Sequence, residues 1–522
     1  MEDNIFLEQE VYDLEAGEFE ITKSRIANLV KYISLVFILA IPILIGFSAP
    51  VSRWAVAFMA YLNCLLYGVF AIYFLKKGTL GCLIPVIAPL WLIIGTCGGI
   101  IYFAMSYPNA SYWTPDGHVS YFAGGVRYQL AIGCFLTVYL ASMARLLRRE
   151  NEVIQHPAMV SKNIGYIATF IVIFAVFMEI VVYLVRTVVN LPLFLFLWVG
   201  RLFARFQTLL FVVGVTIVRI SKIVKIWLVI FLLAMVFFYS LRNARGMALM
   251  PIAGLFCGLF FFSRSKTRTK FAVMAIAVIG IPMFLLIGNT TRILLGSAVG
   301  REASFGQQLS ALKDWRLAAE QSEAGLSFFG RMYFIAGNVI VAHTPSQYPY
   351  RYPSLLKYAK ELLIYMLPDQ VIRKIVGIKD PVTKLSVLLH TDYTGTWLLR
   401  DFGMLVTPTS SVEVSTIGHF WMLGGFLPVL FGGFLVAIVH SLAALMTRRF
   451  WIKNPDKAVF YFACLCYCFI WSMNWDFIQL LRNMLWNSIY AFVAWMFVAP
   501  FLKISSWAPS EQYTQIGLME EF

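Results

Sequence analysis

SVEVSTIGHFWMLGGFLPVLFGGFLV, residues 411–436, is where the long polar interval of this chain gives way to an apolar run. Upstream of that point, residues 289–418 stand out as polar in a sequence otherwise made of apolar stretches. The interval carries Arg331, Arg351, Arg373 and Arg400 among Tyr333, Tyr348, Tyr350, Tyr352, His390, Trp397 and Glu413, and it closes on Ser415, Thr416, Ile417, Gly418 and His419 at the mouth of the next run. It reads as a reaction chamber facing the outside of a membrane. The plainer alternative is an exposed domain that packs on the membrane and binds a partner.

The rest of the chain supports the membrane half of that reading. Hydrophobic residues make up 60% and charged residues 13%, with a mean hydropathy of +0.76, whereas soluble domains are roughly half apolar and about a quarter charged. Apolar stretches long enough to cross a hydrocarbon core ~30 Å thick recur along the sequence. Lipid forces such stretches to be helical, because the backbone must satisfy its own hydrogen bonds. The expected fold is therefore an all-α polytopic membrane protein with about 12 transmembrane helices and one large extracytoplasmic loop domain containing amphipathic helices.

The net charge of +15 would suit nucleic acid, but the basic clusters sit at the ends of every second apolar run, which is orientation information and argues against a nucleic-acid partner. The expected organisation is a cytoplasmic acidic segment over residues 1–28, spans one to nine over 29–288, the outer domain over 289–418, spans ten to twelve over 419–504, and a cytoplasmic tail over 505–522. Spans are expected near 29–51, 54–75, 80–105, 124–144, 165–186, 193–219, 226–241, 247–262, 271–288, 419–446, 457–473 and 477–502. The first is expected to be retained as an anchor, since the acidic start lacks the basic region of a cleaved signal. Both termini then lie in the cytoplasm. The sequence shows no internal repeat, which weakens a transporter built from inverted halves.

Within 289–418, residues 304–323 place Leu309, Leu312, Trp315 and Ala319 at helical spacing, and residues 355–367 form a second amphipathic helix followed by Pro368. The eight cysteines all fall in apolar runs, so no disulfide framework is expected. Cys464, Cys466 and Cys468 do not share a helical face, so no metal is expected either. The cytoplasmic loops are too short for a nucleotide-binding unit, and there is no phosphate-binding loop or zinc-protease motif. No cofactor is expected, and a substrate should arrive through the membrane or from outside.

Arginine is what the outer side offers. Arg201 and Arg205 lie four apart on one helical face, and a uniform rise of ~1.5 Å per residue from Arg219 puts Arg205 about 21 Å from the inner end. A buried pair of Glu179 with Arg205 is the structural alternative for that charge. Arg242 and Arg245 occupy the turn between spans seven and eight, and Arg482 follows Asp476 in span twelve. Clustered guanidinium groups suit a diphosphate, because the planar fork bonds oxyanions in bidentate fashion. Were a sugar to leave such a diphosphate, fixed arginines would stabilise the growing charge without a metal. A base must also take a proton from the attacking hydroxyl. His419 is eligible through its place at a helix start capped by Ser415 or Thr416, where the helix dipole favours the neutral ring, and Glu413 is the other candidate. An ordinary imidazole, near ~6.5, is better matched to neutral pH than a carboxylate near ~4.3.

At these residues the sequence resembles the bacterial O-antigen polymerase and ligase superfamily, closest to the oligosaccharide repeat-unit polymerases. Tyr239 to Gly246 is similar to the family's serine-x-arginine-glycine turn, with Arg245 and Gly246 on its arginine and glycine. Arg331, then His343, Thr344 and Pro345, then the tyrosine-rich 348–352 are like the family's arginine, proline and tyrosine series. Pro408, Thr409, Ser410, Glu413, Leu423, Gly424 and Gly425 resemble the series that opens the span after the loop. The pattern expected after the second amphipathic helix is present only loosely, as Pro368, Arg373, Lys379, Asp380 and Pro381, and Val412 stands where the family has glycine before the glutamate.

The resemblance implies an inner-membrane, metal-independent glycosyltransferase that joins polyprenyl-diphosphate-linked oligosaccharide repeat units at the outer face. Its partners would be the lipid-linked donor and acceptor, membrane lipid, and a chain-length regulator. Arg245 and Arg331 would hold diphosphate, with Arg351, Arg205 and Arg482 as further binding candidates, and Glu413 or His419 would be the base. A ligase that passes the glycan to a different acceptor is the nearest other enzyme. A lipid-linked glycan flippase or exporter, its conduit lined by the arginines, is the alternative outside enzymes. The single large outer loop favours an enzyme.

The orientation is testable without any assay of activity. A cysteine replacing Gln321 should react with an impermeant thiol reagent in intact spheroplasts; labelling only after lysis would place residues 289–418 inside and remove the outer chamber.

Overall fold

A computed structural model describes residues 53–106, 111–114, 117–120, 125–148, 160–188, 206–241, 245–262, 310, 313, 362–364, 366–367, 369–376, 415–475 and 477–505. The described chain is helical, as expected, apart from one short antiparallel hairpin. Six of its helices are long and apolar enough to cross a membrane. Spans one and nine of the expected set, and most of the loop domain, lie outside the described residues. The chain divides into two compact units, the first including residues up to Ile154, Phe329–Ala444 and Ile470–Leu480, the second Gln155–Phe328, Leu445–Phe469 and the chain from Leu481 onward.

The first unit begins with α1, Arg53–Lys77, whose 25 residues extend about 37 Å at ~1.5 Å per residue, enough to span. Lys76 and Lys77 occupy its last turn, where cations meet the negative end of the helix and the membrane surface together. Gly78 stops it: at φ 65° its N–H bonds back to Leu75 at 3.1 Å, the left-handed termination that glycine adopts without strain. The next span is segmented. A 3-10 turn, Gly81–Leu83, leads into α2, Ile84–Leu92, a π-helical stretch over Ile93–Gly98, and α3, Gly99–Ser106. Pro89 inside α2 lacks the N–H that an unbroken ladder needs, and the π stretch follows it directly.

Strands β1, Ser111–Thr114, and β2, Gly117–Ser120, then pair antiparallel with Thr114 opposite Gly117. They fall where the sequence suggests only a polar loop rich in proline and glycine. Helix α4, Gly125–Leu146, lies close to α1 at its start, since a Cβ on Gly125 would stand 2.6 Å from Val56 Cγ1. Between the two helices Asn63 donates to both the main-chain and the side-chain oxygen of Gln129 at 2.9 Å.

In the second unit, α5 covers Lys162–Val188, a 3-10 turn Gln207–Leu209 enters α6, Leu210–Thr216, and α7 covers Lys222–Leu241. The uniform α-helical rise assumed for span six is corrected here, because its described part changes helix type at residue 209 and ends at Thr216. Helix α8, Arg245–Cys257, continues as a π turn over Gly258–Phe262. Gly254 and Gly258, four apart, bring α8 backbone to backbone with α6: a Cβ on Gly258 would fall on the carbonyl oxygen of Phe211 and 3.0 Å from Val215 N. Helices in lipid associate through such close small-residue approaches because lipid tails give no hydrophobic drive between them. Val176, Met235, Phe238 and Tyr239 form a buried cluster beside this crossing.

The C-terminal helices are α10, Thr416–Gly424, α11, Phe426–Lys453, α12, Pro455–Trp471, and α13, Phe477–Ser505, while a short helix α9, Asp369–Val376, precedes them. Two expectations change. The single tenth span over 419–446 starts earlier and is broken between α10 and α11 at Gly425, whose φ of 84° no continuing helix permits. In addition, α9 forms directly after Pro368, in a stretch without an expected element; Ile372 is buried on it while Val371 and Ile375 are exposed.

The glycine crossing gives a sharp stability test. Gly258→Ala should destabilise the protein by about 1–3 kcal/mol, because the clash is with backbone that cannot turn aside. Gly68→Ala, where a Cβ meets nothing within 4 Å, should be neutral or stabilising by up to about 1 kcal/mol. Thermal unfolding of both variants in detergent checks the pair.

Candidate functional site

His419 sits at the start of α10, and the residues before it build that start. Ser415 is the cap: its Oγ accepts the N–H of Gly418 at 3.2 Å, and its carbonyl accepts the N–H of His419 at 2.9 Å. This is the capping role expected of Ser415 or Thr416 from sequence, taken by Ser415. The Tyr128 hydroxyl of α4 shares a hydrogen bond of 3.4 Å with Ser415 Oγ.

Thr416 has a role that local spacing does not reveal. Its N–H donates to Met473 O at 3.2 Å, and its hydroxyl has two carbonyls in reach of its one proton, Ser472 O at 2.9 Å and Trp475 O at 2.5 Å. The turn after α12 thus rests on the first residue of α10. Carbonyls at the negative end of one helix meet donors at the positive end of another.

Above this joint the His419 side chain is 1% exposed and its ring stands edge-on to Phe420, with centroids 5.5 Å apart. Phe420 in turn packs on Phe477 at 5.3 Å, and Trp421 packs edge-on to Phe426 at 4.8 Å across the helix break. The imidazole is therefore held on a nine-residue helix fixed at both ends. Asn474 belongs to the same turn. It is fully buried, and neither its amide nitrogen nor its amide oxygen makes a hydrogen bond among the described residues.

Of the other candidates, Arg245 lies in α8, while residues 242–244 of the turn expected around it are outside the described residues. Arg482 lies partly buried in the second turn of α13. His419 belongs to the first unit, Arg245 and Arg482 to the second. Arg205, Arg331, Arg351 and Glu413 lie outside the described residues, as does Asp476, while Glu179 lies on α5. Tyr239, which carries part of the resemblance, is wholly buried and accepts a hydrogen bond from Gln207, so its role here is in the core.

Sequence reasoning passed over the polar residues buried within spans. Asn63 and Gln129 are paired as described above. His440 Nδ1 lies 2.7 Å from the Tyr139 hydroxyl, with the two rings edge to face. The available signal was a lone polar side chain in an apolar run, which lipid requires to find a partner. Among the described residues no cluster of three or more His, Cys, Asp or Glu could hold a metal ion.

The chain matches no family model, no curated protein and no solved structure.

Removing the Thr416 hydroxyl tests the joint. Thr416→Val keeps the shape, removes the hydroxyl's hydrogen bond to the turn after α12, and should cost about 1–3 kcal/mol. Ser415→Ala should cost about 1 kcal/mol through loss of the cap. Thermal melts of the two variants should rank in that order or tie; no loss in either would show that the joint does not hold α10.

Proposed function

We propose that this protein is a glycosyltransferase of the bacterial inner membrane. It joins polyprenyl-diphosphate-linked oligosaccharide repeat units at the outer face, with both of its termini cytoplasmic. The observation that carries the reading is the placement of His419, buried on a short capped helix at the mouth of a membrane span. That position follows directly on a polar interval whose arginine, proline, tyrosine and glutamate order resembles that of the repeat-unit polymerases.

In this mechanism Arg245 and Arg331 hold the diphosphate of the donor and stabilise its charge as the glycosidic bond to it breaks. Arg351, Arg205 and Arg482 are further contacts to the lipid-linked glycans. Arg245 opens α8, and a helix start favours an anion. The acceptor hydroxyl attacks the anomeric carbon as it gives up its proton to His419 or Glu413, and the diphosphate carrier leaves. The buried amide of Asn474 supports the same site: an unbonded polar group there costs about 1–3 kcal/mol, and an incoming hydroxyl would both donate to it and accept from it. The large outer interval favours this enzyme over an exporter.

Purified protein supplied with a lipid-linked repeat unit decides the roles. His419→Ala and His419→Gln should lose polymer formation while still binding the donor, and His419→Gln, which keeps most of the buried volume, should melt near the wild-type temperature. Full activity in both, with a dead Glu413→Gln, would pass the base to Glu413. Arg245→Lys and Arg331→Lys keep the charge but lose the planar fork and should each lower turnover by about tenfold or more. Wild-type polymer from every one of these variants would overturn the proposed reaction.

A further inference from the structure

One end of the second unit gathers cationic side chains from the starts of α5 and α7 and the end of α11. Arg219 Nη1 donates to the carbonyl of Val160, Ser161 N–H donates to Asp456 Oδ1 at 2.7 Å, and Ser221 N–H donates to the Tyr166 hydroxyl at 3.1 Å. These bonds draw together the start of α5, the start of α7, the end of α11 and the start of α12. Lys162, Arg219, Lys222, Arg449 and Lys453 are all exposed there. Asp456 is the one carboxylate at this end among the described residues, and burial raises its pKa against the lowering effects of Ser161 N–H and Arg219. It also already bonds Ser161, so among the described residues this end carries more cations than carboxylates.

The surface next to these charges is apolar. Ile223, Ile226 and Trp227 on α7 are 69%, 52% and 63% exposed, and Ile452 on α11 is 66% exposed. Trp227 follows Lys222 by five residues, or about 7–8 Å along a helix at ~1.5 Å per residue. That is the depth from a phosphate level to the upper acyl chain, where tryptophan is favoured. A soluble anion would use the charges alone. A lipid uses the charges and the apolar flank together.

We propose that this end of the second unit is a binding site for the headgroup of an anionic phospholipid, whose phosphate lies among Lys162, Lys222 and Lys453 and whose acyl chains run along Ile223 and Trp227. The site is independent of the catalytic reading. No bond is made or broken in it.

Native mass spectrometry of the full chain, titrated with phosphatidylglycerol or phosphatidylcholine, tests the proposal. Wild type should retain phosphatidylglycerol more tightly. Together, Lys162→Gln, Lys222→Gln and Lys453→Gln should weaken that binding by at least about tenfold, since each basic residue near an anionic surface contributes about 1 kcal/mol. Replacing the same three with arginine should restore it. Lys76→Gln, Arg145→Gln and Arg148→Gln, which remove three charges from the first unit, should leave it within about twofold, because the effect is local. Equal retention of the two lipids by wild type, equal loss in the two glutamine triples, or full displacement of the lipid by soluble glycerol phosphate would overturn the site.

Discussion

The bond set of Thr416 is the constraint on which the arrangement around His419 depends. A chain that turns between α12 and α13 leaves the carbonyls of Ser472, Met473 and Trp475 needing donors in a setting with little water to supply them. One threonine meets this turn with two donors, its N–H for Met473 O and its hydroxyl for Ser472 O or Trp475 O. In doing so it fixes where α10 begins, and the first i to i−4 bond of that helix, from His419 to Ser415, follows one turn later. The position of the imidazole is thus a consequence of how another helix ends.

The same logic recurs deeper in the helices. Asn63 with Gln129 and Tyr139 with His440 join helices through hydrogen bonds that water cannot replace, each worth about 0.6–1.7 kcal/mol in a membrane. Where no such pair is present, contact is made by closeness: Gly254 and Gly258 let α8 meet α6 at backbone distance. Polar pairs fix which helix faces meet, and small residues fix how near they come. Between them they hold α4 against α1 and α11, so that Tyr128 is in place to meet the Ser415 cap.

The proposed chemistry and the proposed lipid site use opposite properties of this scaffold. At His419 the protein removes a polar side chain from solvent and holds it on a helix fixed at both ends, as a base must be held relative to its acceptor. At the end formed by α5, α7, α11 and α12 it leaves cations on the surface, where their attraction acts on a mobile lipid.

By itself the sequence determined that the chain is helical and lies in a membrane, since long apolar runs in lipid leave no other way to satisfy the backbone. It also placed most of the six membrane-length helices of the described chain to within a few residues, because lysines and arginines gather near their ends: Lys76 and Lys77 stand in the last turn of α1, just before Gly78 ends it. The helix cap before His419 was legible too, because capping is a local matter of one hydroxyl and the N–H three residues on. Tertiary structure alone decided the break at Gly425, the fold of α9, the contact of Thr416 with the turn after α12, and the pairing of Asn63, Gln129, Tyr139 and His440. Each of these depends on which distant segment supplies a partner, and in Thr416 with Ser472 those segments are 56 residues apart; hydropathy and local spacing carry no record of that choice.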